Sequence, residues 1–257
     1  MPTEYDALAV LYDYEWQDLK EDIDFIGTEC EKSGSPILEL ACGTGRITLP
    51  LATRGLEVWG LDNSQEMLAL LKEKRRSLPT EVAQRLHAIY GTMEEFHLDR
   101  QFQSIVIPFN SFLLLTTKQQ QEQCLQSVRK HLVPDGLFIV DIFSPRFDLC
   151  AQEKSDIRFL KHFFYPSTKQ VIIQWEYVER NMADQVMNID FLYEIYDSEG
   201  NLERLTRSLR MAIIFRFEMQ LLLEKNGFEI VEFYGNYDRS LFTKDSPQMI
   251  FICRKKE

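Results

Sequence analysis

Residues 37–46 combine an apolar run, an acidic side chain and a glycine loop, and together these features could bind a ligand. Positions 37–40 are apolar except for Glu39, and Gly43 and Gly45 follow two residues apart. A strand that leads through such a loop into a helix brings backbone N–H groups close to a bound molecule. Because a carboxylate beside the loop would repel a phosphate, Glu39 predicts a ligand that carries positive charge.

Asp62 is the second chemically informative residue, since it follows the apolar run 56–61 and lies 17 residues after Gly45. A carboxylate at the end of a strand can accept two hydrogen bonds from the 2′ and 3′ hydroxyls of a ribose. The alternative interpretation is an acid that stabilises a helix N-terminus. Ligands of open α/β sheets bind at the carboxyl edge of the strands, and this favours the ribose interpretation.

Charge and residue content argue against several classes of protein. A net charge of −11 argues against binding to nucleic acid or to an anionic membrane, because both need a basic face. No apolar run approaches the ~18–20 residues of a membrane span. The five cysteines form no C-x-x-C pair, which argues against disulfides and zinc and predicts a cytoplasmic compartment. The four histidines have no metal-ligand spacing, so we expect no metal site.

The elements that must position these residues alternate along the first part of the chain. Residues 1–33 have a helical pattern, and a capping-box pattern opens a helix at Thr117. Strands are predicted at 37–41, 56–61, 86–90, 102–109 and 137–142, with a helix at 65–74. This alternation predicts a doubly wound parallel sheet with right-handed crossovers.

Residues 150–212 interrupt the alternation. Apolar and polar residues alternate over 171–178, 186–196 and 202–211, which predicts an antiparallel insertion. The last two strands are predicted at 228–234 and 249–253. Their connection is too short for a helical crossover, so we expect a hairpin with an antiparallel final strand.

Several of these segments resemble one known family. The sequence E-L-A-C-G-T-G at 39–45 resembles motif I of class I S-adenosylmethionine-dependent methyltransferases, and G-L-D-N-S-x-x-M-L at 60–68 resembles their second motif. P-D-G at 134–136 resembles the turn before their fifth strand. Segments 108–112 and 234–238 are similar to bacterial small-molecule methyltransferases, including amino-sugar N-methyltransferases.

The resemblance implies a fold and a domain division. The expected fold is α/β and Rossmann-like, a seven-stranded mostly parallel sheet with a C-terminal antiparallel hairpin, plus an antiparallel β insertion. Residues 1–149 and 213–257 would form the S-adenosylmethionine-binding core, with 1–33 as a helical lid. The insertion, 150–212, would bind the acceptor or mediate a homodimer.

The implied activity is transfer of a methyl group from S-adenosylmethionine to a small-molecule acceptor, on nitrogen or oxygen, by direct SN2 displacement. S-adenosylhomocysteine would be the product, and neither nucleic acid nor membrane would be a partner. Two alternatives stay open, a non-catalytic cofactor-binding module and an NAD-dependent oxidoreductase. The loop departs from the G-x-G-x-x-G dinucleotide pattern at Thr48, which counts against the oxidoreductase.

The resemblance also implies individual roles. Glu39 would face the methionine amino group, Asp62 would hold the ribose, and Thr92 stands where the family often has an aspartate. Tyr12 and Asp238 are the catalytic candidates, beside the alternative that proximity alone promotes transfer. The predicted cofactor-binding residues are Tyr5, Tyr12, Trp16, Glu39, Ala41, Cys42, Gly43, Arg46, Asp62, Asn63, Met67, Thr92, Met93, Phe109, Asn110 and Phe112.

Overall fold

Two β-sheets organise the chain in the computed structural model, which describes residues 9–256. The strands are β1 (Ile37–Leu40), β2 (Val58–Asp62), β3 (Leu86–Tyr90), β4 (Phe102–Ile107), β5 (Leu132–Phe143), β6 (Arg158–Tyr165), β7 (Gln170–Asn181), β8 (Val186–Tyr196), β9 (Leu202–Ala212), β10 (Phe228–Tyr234) and β11 (Gln248–Lys255). The helices are α1 (Ala9–Glu15), α2 (Glu21–Ser33), α3 (Thr48–Thr53), α4 (Gln65–Arg76), α5 (Thr80–Ala83), α6 (Lys118–His131), α7 (Phe147–Cys150) and α8 (Arg216–Lys225).

The larger sheet has seven strands in the order β10-β11-β5-β4-β1-β2-β3. β1 pairs in parallel with both β2 and β4, and every residue of β1 is buried. β11 pairs antiparallel with β5 and with β10, so the prediction of a mostly parallel sheet with a terminal hairpin is confirmed. The winding direction changes between β1 and β4, which is where open α/β sheets form a ligand crevice.

The smaller sheet contains the insertion, with four antiparallel strands in the order β6-β7-β8-β9. The sequence predicted β7, β8 and β9 but missed β6, because β6 is largely exposed and lacks an apolar–polar alternation. The buried side chains of this sheet share one apolar cluster with those of the larger sheet. Phe191 and Tyr193 of β8, for example, belong to the same cluster as Ile105 and Ile107 of β4.

β5 begins earlier than the sequence indicates, at Leu132 directly after α6. The predicted turn at 134–136 is an irregularity inside this strand, since Phe102 pairs with Leu132 whereas Ser104 pairs with Leu137. The predicted capping box of α6 is confirmed, because the Thr117 side chain accepts from the Gln120 N–H. Within residues 9–256, no helix combines the length and the apolar character that crossing a bilayer requires.

The short helix α1 connects the two sheets. Asp13 accepts a hydrogen bond from the Thr44 hydroxyl at 2.6 Å and forms an ion pair with Lys74 at 2.5 Å. On the insertion side, the Glu15 carboxylate accepts hydrogen bonds from Gln174 at 3.0 Å and from the Tyr193 hydroxyl at 3.3 Å. α1 is therefore bound both to the glycine loop and to the insertion.

Candidate active site

A cavity of about 330 Å³ opens at the carboxyl edge of the larger sheet, between the glycine loop and the insertion. We call one part the loop half, and it is lined by Tyr12, Trp16, Ala41, Gly43, Asp62, Asn63, Met67, Gly91 and Met93. The other part, the insertion half, is lined by Leu114, Phe143, Met187, Ile189, Phe191, Arg207, Leu209 and Met211. Phe109, Asn110 and Ser111 form the shared wall between the two halves.

The glycine loop needs glycine for two physical reasons. Gly43 and Gly45 both have positive φ, 54° and 86°, which other residues adopt only at a cost in energy. A Cβ atom on Gly45 would also stand 2.4 Å from a methyl carbon of Leu71 on α4. The loop can therefore pass close to α4 and present its backbone to the cavity.

Asp62 at the end of β2 holds the loop in place. Its carboxylate accepts the Gly43 N–H at 2.7 Å and the Ser64 N–H at 2.8 Å. The residue is 8% exposed and lines the loop half of the cavity. One side chain thus connects the glycine loop, the start of α4 and the ligand space.

Glu39 lies beneath the glycine loop rather than in the cavity lining. It is 2% exposed, and its carboxylate accepts a hydrogen bond from the Thr48 hydroxyl on α3. Burial raises the pKa of Glu39 to about 8, although Thr48 and Arg46 act in the opposite direction. The structure therefore does not bring Glu39 into the cavity lining, and its predicted contact with the methionine amino group stays a prediction.

Most of the predicted cofactor-binding residues line the cavity. The structure also shows where the side chains of the others lie instead. The Arg46 guanidinium turns away to form an ion pair with Asp22 on α2. Phe112 is fully buried in the apolar core, and the Cys42 side chain packs against Gly60. Thr92 is exposed, and its neighbour Gly91 lines the cavity instead. Tyr5 lies outside the described residues.

The two catalytic candidates differ in position. Tyr12 lines the loop half of the cavity, whereas Asp238 lies on the surface and outside the lining. The Asp238 carboxylate accepts the Ser240 N–H at 2.9 Å within a tight turn, which holds the side chain away from the cavity. Within that connection it is Tyr237, half-buried, whose hydroxyl bonds to Asp141.

Trp16, which directly follows α1, lies next to the shared wall. The Trp16 ring meets the Phe109 ring edge-on at 4.7 Å between centroids. The ammonium group of Lys161 on β6 lies 3.5 Å from the Trp16 ring centroid, so an insertion residue already contacts this ring. Trp16 thereby packs against the insertion and at the same time lines the cavity.

The sequence interpretation missed Arg207 on β9, which lines the insertion half. Its side chain is 5% exposed and lies 3.8 Å from the Glu15 carboxylate, and its guanidinium lies 4.8 Å from the Phe191 ring centroid. The sequence offered a signal for this position. Arg207 lies two and four residues before Leu209 and Met211 on β9, so its side chain points to the same face as these inward-facing residues. A cation among inward positions of an alternating strand indicates a function or a buried partner.

The sequence interpretation also missed Asp141 on β5, which lies beneath the shared wall. The N–H groups of Phe109 and Asn110 donate to its two carboxylate oxygens at 3.0 Å and 3.4 Å. The available signal was an aspartate inside the otherwise apolar run F-I-V-D-I-F at 138–143. Such a residue is costly to bury unless it has hydrogen-bond partners.

Comparison with known proteins agrees with this architecture. A family model described as a methyltransferase domain matches residues 37–136. A glycine/sarcosine N-methyltransferase from Aphanothece halophytica is 25% identical over 233 residues, 90% of this chain and 80% of that protein. The CcbJ methyltransferase from Streptomyces caelestis has a similar fold, with a TM-score of 0.82, 22% identity and coverage of 100% of this chain and 99% of that chain.

A third relative is more similar in sequence over a shorter segment. The dTDP-3-amino-3,6-dideoxy-alpha-D-glucopyranose N,N-dimethyltransferase from Streptomyces fradiae is 34% identical over 105 residues. This match covers 41% of our chain and 38% of that enzyme. Relatives with 32–38% identity, this one among them, match over less than half of their own length.

The matched segment contains the glycine loop and Asp62, and it ends inside β5. The fold around it is the seven-stranded sheet with a terminal hairpin that the sequence motifs imply. These findings favour methyl transfer over the oxidoreductase and non-catalytic alternatives. Residues 37–136 thus match a methyltransferase domain, and the whole chain has the fold of solved methyltransferase structures.

Proposed function

We propose that this enzyme transfers the methyl group of S-adenosylmethionine to the nitrogen of a small amine that also carries an anionic group. The observation that supports this most directly is one continuous cavity, which joins the glycine loop to an apolar space that Arg207 also lines. The donor would occupy the loop half, and the acceptor would occupy the insertion half. The shared wall would then lie beside the methyl group as it passes from the donor to the acceptor.

The loop half has suitable groups for the donor. The Asp62 carboxylate would accept hydrogen bonds from the ribose hydroxyls, while the backbone at Gly43 would approach the methionine portion. Asn63 and Met67, which follow β2, would flank the adenine, and Met93 would close the same side. These roles use residues that already line one continuous surface.

The insertion half favours a small acceptor with an acidic group. Its lining is mostly apolar side chains such as Met187, Ile189 and Leu209, and Arg207 contributes a cation among them. A guanidinium binds carboxylates and phosphates through paired N–H donors. The relatives named above act on glycine or sarcosine and on a dTDP-amino sugar, which are amines that also bear a carboxylate or phosphates.

Methyl transfer of this kind is a direct displacement. The nitrogen lone pair forms the new C–N bond, the S–C bond breaks, and its electron pair remains on sulfur. The resulting ammonium then loses a proton to solvent. The enzyme would act mainly by aligning the two reactants, because proximity and orientation alone can supply much of the rate enhancement.

A matched set of acceptors tests this proposal. Purified enzyme is incubated with S-adenosylmethionine and glycine, sarcosine, ethylamine, glycolate or a dTDP-amino sugar, and methylated product is measured by mass spectrometry. We expect turnover with an acidic amine, and turnover at least about tenfold slower with ethylamine or glycolate, which lack the acid or the amine. Methylation of hydroxyl acceptors only, or of no amine by protein that binds S-adenosylhomocysteine, would contradict the proposal.

Glu39 is expected to couple cofactor binding to pH. In the free enzyme its pKa of about 8 keeps most of the carboxyl groups protonated at pH 7. The positive charges of S-adenosylmethionine favour the ionised form, so they lower this pKa and binding releases a proton. Affinity should therefore rise with pH up to about pH 8.

Titration calorimetry at pH 7 in two buffers with different ionisation enthalpies measures that proton release. The apparent binding enthalpy of S-adenosylmethionine should differ between the buffers for the native enzyme. The variant Glu39→Gln should largely lose this difference, since it has no carboxyl group to titrate. Equal enthalpies in both buffers for the native enzyme would refute the coupling.

A further inference from the structure

The shared wall has a backbone conformation that residues other than glycine rarely adopt. Phe109 and Asn110 are consecutive, and both have positive φ, 56° and 63°. This conformation persists only where surrounding contacts hold it in place. Both residues line the junction between the two halves of the cavity. The contacts that hold their backbone can therefore affect how donor and acceptor are aligned.

Asp141 supplies those contacts from the neighbouring strand β5. Its two carboxylate oxygens accept the N–H groups of Phe109 and Asn110 at 3.0 Å and 3.4 Å. The residue is 1% exposed, and the Tyr237 hydroxyl also donates to its carboxylate. Successive backbone N–H groups that converge on one anion form a nest, here with the anion supplied by the protein itself.

We propose that Asp141 is a positioning residue for methyl transfer, which fixes the Phe109–Asn110 backbone against which donor and acceptor are aligned. The inference rests on the proposed function, because it assumes that transfer takes place at the shared wall. Misplacement of reacting groups by about 1 Å can cost about 100-fold in rate. Loss of the Asp141 contacts should therefore slow transfer more than it weakens binding at the distant Asp62.

The ionised carboxylate is the form that accepts both N–H groups. Burial raises the pKa of Asp141 to about 6 and Asp22 on α2 adds to the rise, whereas the Phe109 N–H and Tyr237 hydroxyl lower it. Arg46, which is paired with Asp22, is a cation next to the same wall and lies 4.8 Å from the Phe109 ring centroid. Protonation of Asp141 near pH 6 should therefore weaken its hold on the wall.

Selective isotope labelling can follow the two amide groups directly, with no acceptor present. The dipeptides Pro108–Phe109 and Phe109–Asn110 each occur once in the sequence, so paired carbonyl-¹³C and amide-¹⁵N labels identify each signal. In the native enzyme both amide signals should titrate with a midpoint near pH 6. In Asp141→Asn this titration should be absent. An identical titration in the variant, or no titration in the native enzyme between about pH 5 and pH 8, would overturn the proposal.

A kinetic measurement separates positioning from binding. For Asp141→Asn we expect the single-turnover rate with an acceptor found in the panel to fall about tenfold, while the Kd of S-adenosylhomocysteine changes less than about threefold. An unchanged rate in the folded variant would overturn the proposal. If no amine is methylated, the proposed function fails, whereas the amide titration and the Kd still decide whether Asp141 holds the wall.

Two further variants distinguish this role from a general structural one. Tyr237→Phe keeps the carboxylate but removes a hydrogen bond that lowers its pKa, so the amide midpoint should move to higher pH. Phe138→Leu removes packing against Phe228 three residues before Asp141, on the opposite face of β5, and should change neither midpoint nor rate. An equal loss of rate in Phe138→Leu would assign the Asp141→Asn effect to destabilisation and overturn the proposal.

Discussion

Asp62→Ala is expected to lower the affinity for S-adenosylhomocysteine about 100-fold, or about 2.8 kcal/mol. Two losses combine in this variant. The first is the proposed pair of hydrogen bonds from the ribose hydroxyls to a charged acceptor. The second is the anchor of the glycine loop, because the Gly43 and Ser64 N–H groups both donate to this carboxylate. Titration calorimetry with S-adenosylhomocysteine measures the change.

Two controls locate the effect. Asp62→Asn keeps one carbonyl acceptor, so its affinity should lie between those of the native enzyme and Asp62→Ala. Glu57→Ala removes a half-exposed carboxylate just before the other end of β2 and should leave the affinity unchanged. Affinity within about twofold of native in a folded Asp62→Ala sample would contradict both the ribose role and the loop-anchoring role.

Arg207→Met is expected to lower kcat/KM for an acidic amine about 30-fold, which corresponds to about 2 kcal/mol for a lost charge-assisted hydrogen bond. The loss should fall mainly on KM, because the guanidinium is proposed to bind the acidic group and not the reacting nitrogen. Affinity for S-adenosylhomocysteine should stay close to native, since Arg207 lines the insertion half only. Steady-state kinetics and calorimetry test both statements.

A double variant removes the main ambiguity in that prediction. Arg207 lies 3.8 Å from Glu15, so Arg207→Met alone also leaves a buried carboxylate with one cation fewer. Combining Arg207→Met with Glu15→Gln removes both charges and should retain the defect toward acidic amines. Recovery of native kcat/KM in the double variant would show that the cation compensates Glu15 and does not bind the acceptor.

The parts of the fold that the sequence predicted well have strong local signals. The buried run of β1, the capping box before α6 and the alternation in β8 each fix an element from neighbouring residues alone. The sequence interpretation missed β6 because most of its side chains are exposed. Without a buried face, the strand needs no alternation of apolar and polar residues. The start of β5 was missed because the turn signal at 134–136 lies within the strand.

For the candidate site, too, the sequence predicted some positions correctly and others not. Gly43 follows β1 and Asp62 ends the next strand, β2, and the structure brings both residues to the cavity. Glu39 does not line the cavity, because its side chain points from β1 toward Thr48 on α3. Spacing along the chain therefore located the loop but not the direction of every side chain near it.

By itself the sequence predicted most strands of the larger sheet and the glycine loop from local periodicity, and its resemblance to family motifs within about 30 residues implied the methyl donor. Only the tertiary structure decided that Asp141 lies under the shared wall and that Arg207 enters the cavity. Asp141 is 31 residues from Asn110, and Arg207 is 145 residues from Asp62. Their positions depend on how β5 pairs beside β4 and how the insertion packs on the larger sheet, and no local pattern encodes either.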